Sequence, residues 1–289
     1  MLAGIILGIF AAATFGLIPL FTLPLLAKNI TAESILCYRF IIASLIMLPI
    51  LIIKKEKILI SFKDHIKIAL VSLMYMLAAL FYFHAFRFLP SGMVTTLQYL
   101  YPVMVMVVMI VFYHEPFSWK TALALILAFI GVALLANGGD ADNTKELSGL
   151  GIFLSLLCGV FLALYYLGIR IAKMYHLTGI VITFYVMFWG MIICLVNAFV
   201  TNTFVPIIDF EGFALAFLLA LVTAVISNYM VILAIQKIGP TLTSIVGAAE
   251  PLTAVIVGIL VFNENFTFIL AIGGILIISS VIIPLIGKN

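Results

Sequence analysis

The stretch YPVMVMVVMIVFYHE, residues 101–115, returns in outline at residues 250–264 as EPLTAVIVGILVFNE. In both copies a proline precedes a glutamate by thirteen residues. A shift of 149 residues aligns the two copies, and ten of the 48 positions from Ala85 to Val132 are then identical. Because proline and glutamate are rare in this apolar chain, their joint match indicates an internal repeat.

The composition places the chain in a bilayer. Hydrophobic residues make up 66% of the sequence and charged residues 9%, whereas a soluble domain has about 25% charged residues. The three cysteines lie far apart in apolar stretches, which favours buried packing over metal or redox work. The net charge of +3, without a long basic run, predicts no nucleic-acid partner. The first apolar segment lacks a charged start and a cleavage site, so we expect a retained span.

We predict an all-α polytopic membrane protein whose ten transmembrane helices form two inverted five-helix repeats. A spanning helix needs about 20 mainly apolar residues. Polar breaks delimit ten such stretches: 3–27, 33–53, 66–89, 91–113, 118–137, 149–170, 178–200, 211–236, 240–262 and 265–286.

The breaks divide the chain into two halves. The longest polar insert, 138–148, separates a first repeat, 1–137, from a second repeat, 149–289, and is expected to be extracytoplasmic. Two very short connections contain prolines, Pro90 and Pro240, at equivalent places in the halves. A proline there suits the first turn of the next helix, where its missing N–H costs nothing.

Lysine and arginine set the predicted orientation. With the N-terminus inside, ten of them are cytoplasmic, three lie outside and Arg39 lies within a span. Both termini of this multi-pass protein are therefore predicted to be cytoplasmic, in the cytoplasmic (inner) membrane. Since five is odd, the two halves enter the membrane in opposite senses. The inside group is Lys54, Lys55, Lys57, Lys63, Lys67, Lys120, Arg170, Lys173, Lys237 and Lys288, and the outside group is Lys28, Arg87 and Lys145.

The order of these features resembles the EamA-type family of the drug/metabolite transporter superfamily. The resemblance rests on the five-plus-five arrangement, the proline-to-glutamate segments in spans four and nine, the short connection between spans three and four, and an arginine early in span two, in Tyr38-Arg39-Phe40. It covers nearly the whole chain. It implies a polytopic permease, often an exporter of amino acids or other small metabolites, with a central cavity between the halves.

Two charged residues within the spans have no copy in the other half. Arg39 lies six residues after Glu33, and Glu250 stands where the first half has Tyr101. Each needs a partner or a water-filled cavity, so both are candidates for substrate binding or coupling. The guanidinium suits a carboxylate, and a desolvated carboxyl group suits proton exchange or a substrate ammonium. Alternatively, Arg39 reaches the interface or pairs with Glu33, and Glu250 pairs with Arg39 or polar neighbours.

Other polar and aromatic side chains in the spans complete the predicted site. A lone histidine, His84, is a candidate for substrate binding or a proton relay, although a neighbour more often satisfies such a group. Aromatic rings with polar tips suit a small amphipathic solute, and hydrogen bonding between packed helices is the alternative. These residues are Gln98, Tyr99 and Tyr101 in span four, Tyr165 and Tyr166 in span six, Tyr185 and Trp189 in span seven, and Asn228 and Tyr229 in span eight.

The matched prolines and glutamates receive different interpretations. Pro102 and Pro251 lie inside matching helices, where each is a candidate hinge or is merely tolerated by packing. Glu115 and Glu264 lie at helix ends and more readily cap the next helix than touch a substrate.

Together these features predict a secondary transporter that works by alternating access. The sequence contains no nucleotide-binding G-x-x-x-x-G-K-[ST] segment, so transport is expected to be proton-coupled or facilitated. A membrane channel and a membrane-embedded enzyme are the alternatives, but the four histidines are scattered and no repeated selectivity segment is visible. We expect no catalytic activity, no cofactor and no metal. The expected partners are a small-molecule substrate, membrane lipid and, if transport is coupled, protons, with the chain a monomer or weak homo-oligomer.

Overall fold

The structure is a computed structural model that describes residues 1–56, 59–89, 91–138, 148–174, 176–262 and 267–283. Over these residues it is all-helical, as the composition predicts. The α-helices are α1 Leu2–Phe15, α2 Ile18–Ala27, α3 Ala32–Ile53, α4 Phe62–Ala85, α5 Ser91–Gln98, α6 Tyr101–Tyr113, α7 Trp119–Gly138, α8 Gly149–Ile171, α9 Gly179–Val200, α10 Phe210–Leu218, α11 Ser227–Val246, α12 Ala249–Phe262 and α13 Phe268–Ile282.

The described helices are long and apolar enough to cross a membrane seven times. Three further apolar helices are shorter: Trp119–Leu135, Ala249–Val261 and Phe268–Ile282. The predicted all-helical polytopic architecture is therefore confirmed, whereas ten spans are not confirmed in number. The linker prediction falls mostly on residues outside the described ranges, as do Pro90 and Glu264.

Three predicted spans are interrupted rather than continuous. The first breaks between α1 and α2, the fourth between α5 and α6, and the ninth at Gly247 and Ala248, just before α12. The breaks in spans four and nine fall at nearly the same place under the 149-residue shift, because Leu100 aligns with Ala249. In each case a proline lies in the first turn that follows, Pro102 in α6 and Pro251 in α12. The interruption is thus a property of the repeat.

The connection between spans eight and nine depends on a glycine. Helix α11 contains Gly239 with a φ of 81° and a ψ of 167°, a conformation that a side chain would strain. Pro240 follows and starts the next turn, as its position in the sequence predicts. The helix is therefore kinked here without an intervening loop.

Span eight also departs from regular α-geometry. Residues Leu219–Ile226 form a π-helix between α10 and α11. A π-helix pairs each N–H with the carbonyl five residues back, and such segments are frequent at functional sites. Here the segment packs against α3, the helix that carries Arg39.

The packing of the helices reveals the two-repeat arrangement. The most extensive contacts join α7 to α13, α4 to α8, α1 to α11, and α3 to α9. In the numbering of the predicted spans these pairs are 5 with 10, 3 with 6, 1 with 8, and 2 with 7. Exchanging the halves converts each pair into itself or into another pair of the set. The two repeats therefore interlock through equivalent surfaces instead of forming separate bundles.

Candidate functional site

A cavity with an empty volume of about 520 Å³ lies between the two repeats. Its wall is largely aromatic and aliphatic, with a few polar groups, as is typical of small-molecule sites. Its lining comes from both halves of the chain: Phe15, Ile18, Arg39, Tyr75, Ala78, Ala79, Tyr82, Phe83, Gln98, Cys158, Leu162, Tyr165, Tyr166 and Glu250.

Arg39 is held on one side of the cavity by two hydrogen bonds. It is 1% exposed, and its Nη2 donates to Tyr75 Oη at 2.8 Å and to the Thr223 carbonyl oxygen at 3.1 Å. Its guanidinium also lies 5.6 Å from the centroid of the Tyr75 ring, within cation–π range. Since Thr223 lies in the π-helix, this segment fixes the arginine. The Nε atom has no hydrogen-bond partner among the described residues.

Glu250 faces the same cavity from the first turn of α12. A carboxylate at this end of a helix is favoured by the helix dipole. No ion pair within 4.0 Å joins it to Arg39, and no side-chain hydrogen bond holds it among the described residues. Arg39 and Glu250 therefore do not form the direct ion pair that was the alternative interpretation. One positive and one negative group share a cavity and remain separate.

Gln98 and Cys158 bring neutral polar atoms to the wall. Cys158 Sγ donates to Gln98 Oε1 at 3.3 Å, across the contact between α5 and α8. Tyr165 Oη donates to Asn228 Oδ1 at 2.5 Å. Asn228 is thus a support for the tyrosine rather than part of the lining, and its Nδ2 has no partner among the described residues.

Tyr99 and Tyr101 are buried beside the cavity and serve the broken ninth span. Tyr99 Oη donates to the Ile245 carbonyl oxygen at 3.0 Å, and Tyr101 Oη donates to the Ser244 carbonyl oxygen at 3.3 Å. Carbonyls near the end of a helix segment have no intrahelical donor. The first repeat thus supplies hydroxyl groups to the interruption that directly precedes Glu250 in the second repeat.

The remaining predicted site residues lie away from the cavity. His84 Nε2 lies 3.0 Å from Glu33 Oε1, which fits the view that a neighbour satisfies the histidine. Tyr185 and Trp189 pack edge-on against His65, with ring centroids 4.9 Å and 6.0 Å apart. The structure therefore gathers only part of the predicted set at one place.

The glutamate at the end of α6 bonds to the other repeat. Thr241 Oγ1 donates to Glu115 Oε2 at 2.7 Å. Thr241 is in the first turn after Gly239, so Glu115 lies at the start of a helix segment of the second half rather than at the start of α7.

The most important lining residues missed by the sequence reasoning are on α4. Tyr75, Ala78, Ala79 and Tyr82 follow one another at the spacing of a single helix face. Cys158, Leu162, Tyr165 and Tyr166 repeat the pattern on α8. The signal available in the sequence was a helix face that combines small residues with tyrosine.

Contacts between the repeats also close one edge of the structure around residues 28–38 and 203–211. Lys28 pairs with Asp209 and, at 2.6 Å, with Glu211. Hydrogen bonds to these carboxylates raise the pKa of Lys28, and the bond to Lys28 lowers the pKa of Asp209. Nearby, Thr31 Oγ1 donates to the Thr203 carbonyl oxygen at 2.7 Å. We call this set the 28–211 seam.

The same seam continues along the start of α3. The Val205 N–H donates to Ser34 Oγ at 2.6 Å, and the Ile207 N–H donates to Tyr38 Oη at 3.1 Å. These bonds attach the connection between α9 and α10 to α3, close to the turn that holds Arg39. The seam is thus a direct contact between the repeats at one end of the arginine-bearing helix.

Apolar helices, interlocked repeats and a cavity with opposed charges define an integral multi-pass membrane protein of the transporter class. The EamA-like transporter family matches residues 2–137 and 149–286, so each half of the chain carries one copy of the family's repeat. The chain belongs to this family, as its resemblance implies, and is a membrane transporter.

The fold is shared with a protein of known crystal structure. That structure superposes with a TM-score of 0.80 at 15% sequence identity, covering 98% of this chain and 96% of the other. At this identity the likeness concerns the fold alone. No curated protein sequence matches the chain.

Proposed function

We propose that the protein is a secondary transporter that exports a small zwitterionic metabolite, an amino acid or a related amphipathic solute, across the cytoplasmic membrane. The observation that carries this proposal is the shared cavity of Arg39 and Glu250, which come from opposite repeats. The cavity combines apolar and aromatic walls with a few polar groups, as small-molecule sites do.

The two charged groups suggest how such a solute is held. Arg39 lines the cavity, and its guanidinium N–H groups that Tyr75 and the Thr223 carbonyl oxygen leave unused suit the solute carboxylate. The unpaired carboxyl group of Glu250 suits the ammonium group. The rings of Tyr75, Tyr165 and their neighbours then cover the apolar part of the solute.

Glu250 is also the proposed coupling residue. A carboxyl group without a local hydrogen-bond donor can accept a proton when no substrate cation faces it. Competition between a proton and the substrate ammonium for one carboxyl group links the two fluxes without a second ion site.

Alternating access follows from the interlocked repeats. We propose ten spans in two inverted halves with both termini cytoplasmic, and the breaks before Pro102 and Pro251 as the places where spans four and nine bend. Two half-helices that meet at a break can change the angle between them without breaking backbone hydrogen bonds, whereas an unbroken helix would lose such bonds on bending. The cavity then opens first to one side of the membrane and next to the other.

A counterflow experiment in proteoliposomes tests the proposal. Purified protein is reconstituted with a high internal concentration of unlabelled amino acid, and the transient uptake of the same labelled amino acid is followed. A carrier accumulates label against its own gradient, whereas single-channel currents in place of counterflow, or a new chemical product, would support a channel or an enzyme.

The role of Glu250 has a matched control within the chain. Glu250→Gln should weaken solute binding, because the amide mimics the protonated carboxyl group, and the exchange that remains should lose its pH dependence. Glu115→Gln makes the same chemical change at a helix end outside the cavity and should leave the pH profile unchanged. Equal pH profiles for the wild type and Glu250→Gln would assign Glu250 a structural role.

Cys158 provides a test of where the solute binds. It is the cavity's only cysteine among the described lining residues. In a Cys37→Ala/Cys194→Ala background, a transported solute should slow maleimide labelling of Cys158. Labelling that is indifferent to saturating solute would place the binding site elsewhere.

A further inference from the structure

The contact between α3 and α9 contains a pair of cysteines that the transport site does not use. Cys37 Sγ and Cys194 Sγ lie 3.3 Å apart. Both residues are fully buried, and they come from different repeats, 157 positions apart in the sequence. Neither thiol lines the cavity.

The close approach of the two sulfur atoms has a cause in the helix packing. Gly190, one turn before Cys194 on α9, lies against the ring of Phe40, one turn after Cys37 on α3. A Cβ at residue 190 would stand 2.7 Å from Phe40 Cε1, so the glycine lets the helices approach. Small residues are the usual means of bringing membrane helices together.

The thiols also form a short hydrogen-bonded chain. Cys37 Sγ donates to Cys194 Sγ, and Cys194 Sγ in turn donates to the Glu33 carbonyl oxygen at 3.5 Å. The sulfur atoms therefore point at each other instead of into separate apolar pockets. A disulfide has an S–S distance of about 2.05 Å, so bond formation requires an approach of little more than 1 Å.

We propose that Cys37 and Cys194 form a reversibly oxidisable dithiol that, once joined, fixes the two repeats together and arrests transport. The arrest rests on the proposed transport function, whereas formation of the bond does not. The position supports the consequence. Cys37 is two residues from Arg39 and one turn from the seam residue Ser34, so a covalent bond here holds the arginine-bearing helix to the second repeat.

The oxidation balances with a peroxide as the two-electron oxidant. One thiol loses its proton and attacks a peroxide oxygen, which gives a sulfenic acid and, for hydrogen peroxide, one water molecule. The second sulfur then attacks the sulfenic sulfur. The S–S bond forms, the S–O bond breaks, and the hydroxyl group leaves as water with the proton of the second thiol. A small dithiol reductant reverses the bond by exchange.

Thiol counting tests the bond independently of transport. The chain has three cysteines, so reduced, denatured protein should take up three maleimides. Protein treated with hydrogen peroxide in detergent should take up one, at Cys158, and remain monomeric by mass. Cys158→Ala is the matched control, with two maleimides before oxidation and none after. Cys37→Ala should take up two maleimides both before and after oxidation, since Cys194 then has no partner for a disulfide.

Counterflow in the same samples tests the consequence. Oxidation should lower the exchange rate of wild-type protein at least tenfold, and a dithiol should restore it, while the exchange rate of Cys37→Ala should not respond to the oxidant. Three maleimides after oxidation, or one maleimide with an unchanged exchange rate, would overturn the proposal.

A third measurement separates this proposal from the proposed function. If reduced protein shows no counterflow, transport of the tested solutes fails as a function, and the melting temperature then decides. Joining the repeats should raise it in oxidised wild type and not in Cys37→Ala, because the link restrains the unfolded chain. An unchanged melting temperature would overturn the joining of the repeats.

Discussion

Replacing Tyr101 by phenylalanine should destabilise the protein more than replacing Tyr99. The ranking runs against bond length, since the hydrogen bond of Tyr99 is 3.0 Å long and that of Tyr101 is 3.3 Å long. What matters is the acceptor left behind. The Ile245 carbonyl also receives the N–H of Ala248 at 3.0 Å, whereas the Ser244 carbonyl has Tyr101 as its donor among the described residues.

The expected magnitudes follow from that difference. Tyr99→Phe removes one net hydrogen bond, worth about 0.5–1.5 kcal/mol. Tyr101→Phe leaves a buried carbonyl without a donor, which costs about 1–3 kcal/mol. Tyr101 is 1% exposed, so water cannot readily replace the lost hydroxyl group.

Thermal unfolding in detergent, followed by intrinsic fluorescence, measures both variants. Tyr113→Phe is the control, since Tyr113 is 44% exposed and surface changes are usually within about 0.5 kcal/mol. A smaller loss for Tyr101→Phe than for Tyr99→Phe would refute the account of the broken span. Because neither hydroxyl lines the cavity, solute affinity should stay unchanged in both, and a selective loss of affinity would return the tyrosines to the binding site.

Three further predictions concern the cavity and the seam. Arg39→Lys should weaken binding of a carboxylate-bearing amino acid by roughly 10- to 150-fold through the loss of one charge-assisted hydrogen bond of about 1.5–3 kcal/mol; equal affinities by calorimetry would remove Arg39 from the site. Gly16→Ala should lower the melting temperature, because the added Cβ would stand 2.4 Å from the Glu250 carbonyl oxygen and overpacking costs about 1–3 kcal/mol; an unchanged melting curve would contradict this packing. The 28–211 seam should stabilise the folded protein at neutral pH. This stabilisation should be lost in acid as pH falls through the lowered pKa of Asp209, and in alkali as pH rises through the raised pKa of Lys28. Melting curves of Asp209→Asn that keep the wild-type pH dependence would disprove this.

The helical architecture could be predicted because its cause is local. A bilayer demands long apolar helices, and the polar breaks between them are visible in the sequence. A hinge at Pro102 and Pro251 was predicted for spans four and nine, but the complete interruptions there and in span one were not. Their residues are as apolar as the rest, and the cost of the break is met by distant groups such as the hydroxyl groups of Tyr99 and Tyr101.

The candidate site was predictable only in its charges. Arg39 and Glu250 stand out in any apolar span because an unsolvated charge is expensive. Tyr75 did not stand out, since its importance comes from its hydrogen bond to Arg39. Trp189 was expected at the site on chemical grounds, but residue type carries no information on which side of a helix faces the cavity.

The hydrogen bond from Arg39 to the Thr223 carbonyl has a consequence for synthesis of the chain. The two residues are 184 positions apart. At about 5–20 residues per second, the ribosome needs roughly 10–40 s after Arg39 to supply that acceptor. Tyr75, 36 positions downstream, arrives several-fold sooner. The nascent first repeat therefore holds Arg39 in the membrane with one of these two hydrogen-bond partners. The other partner is added only when the second repeat is translated.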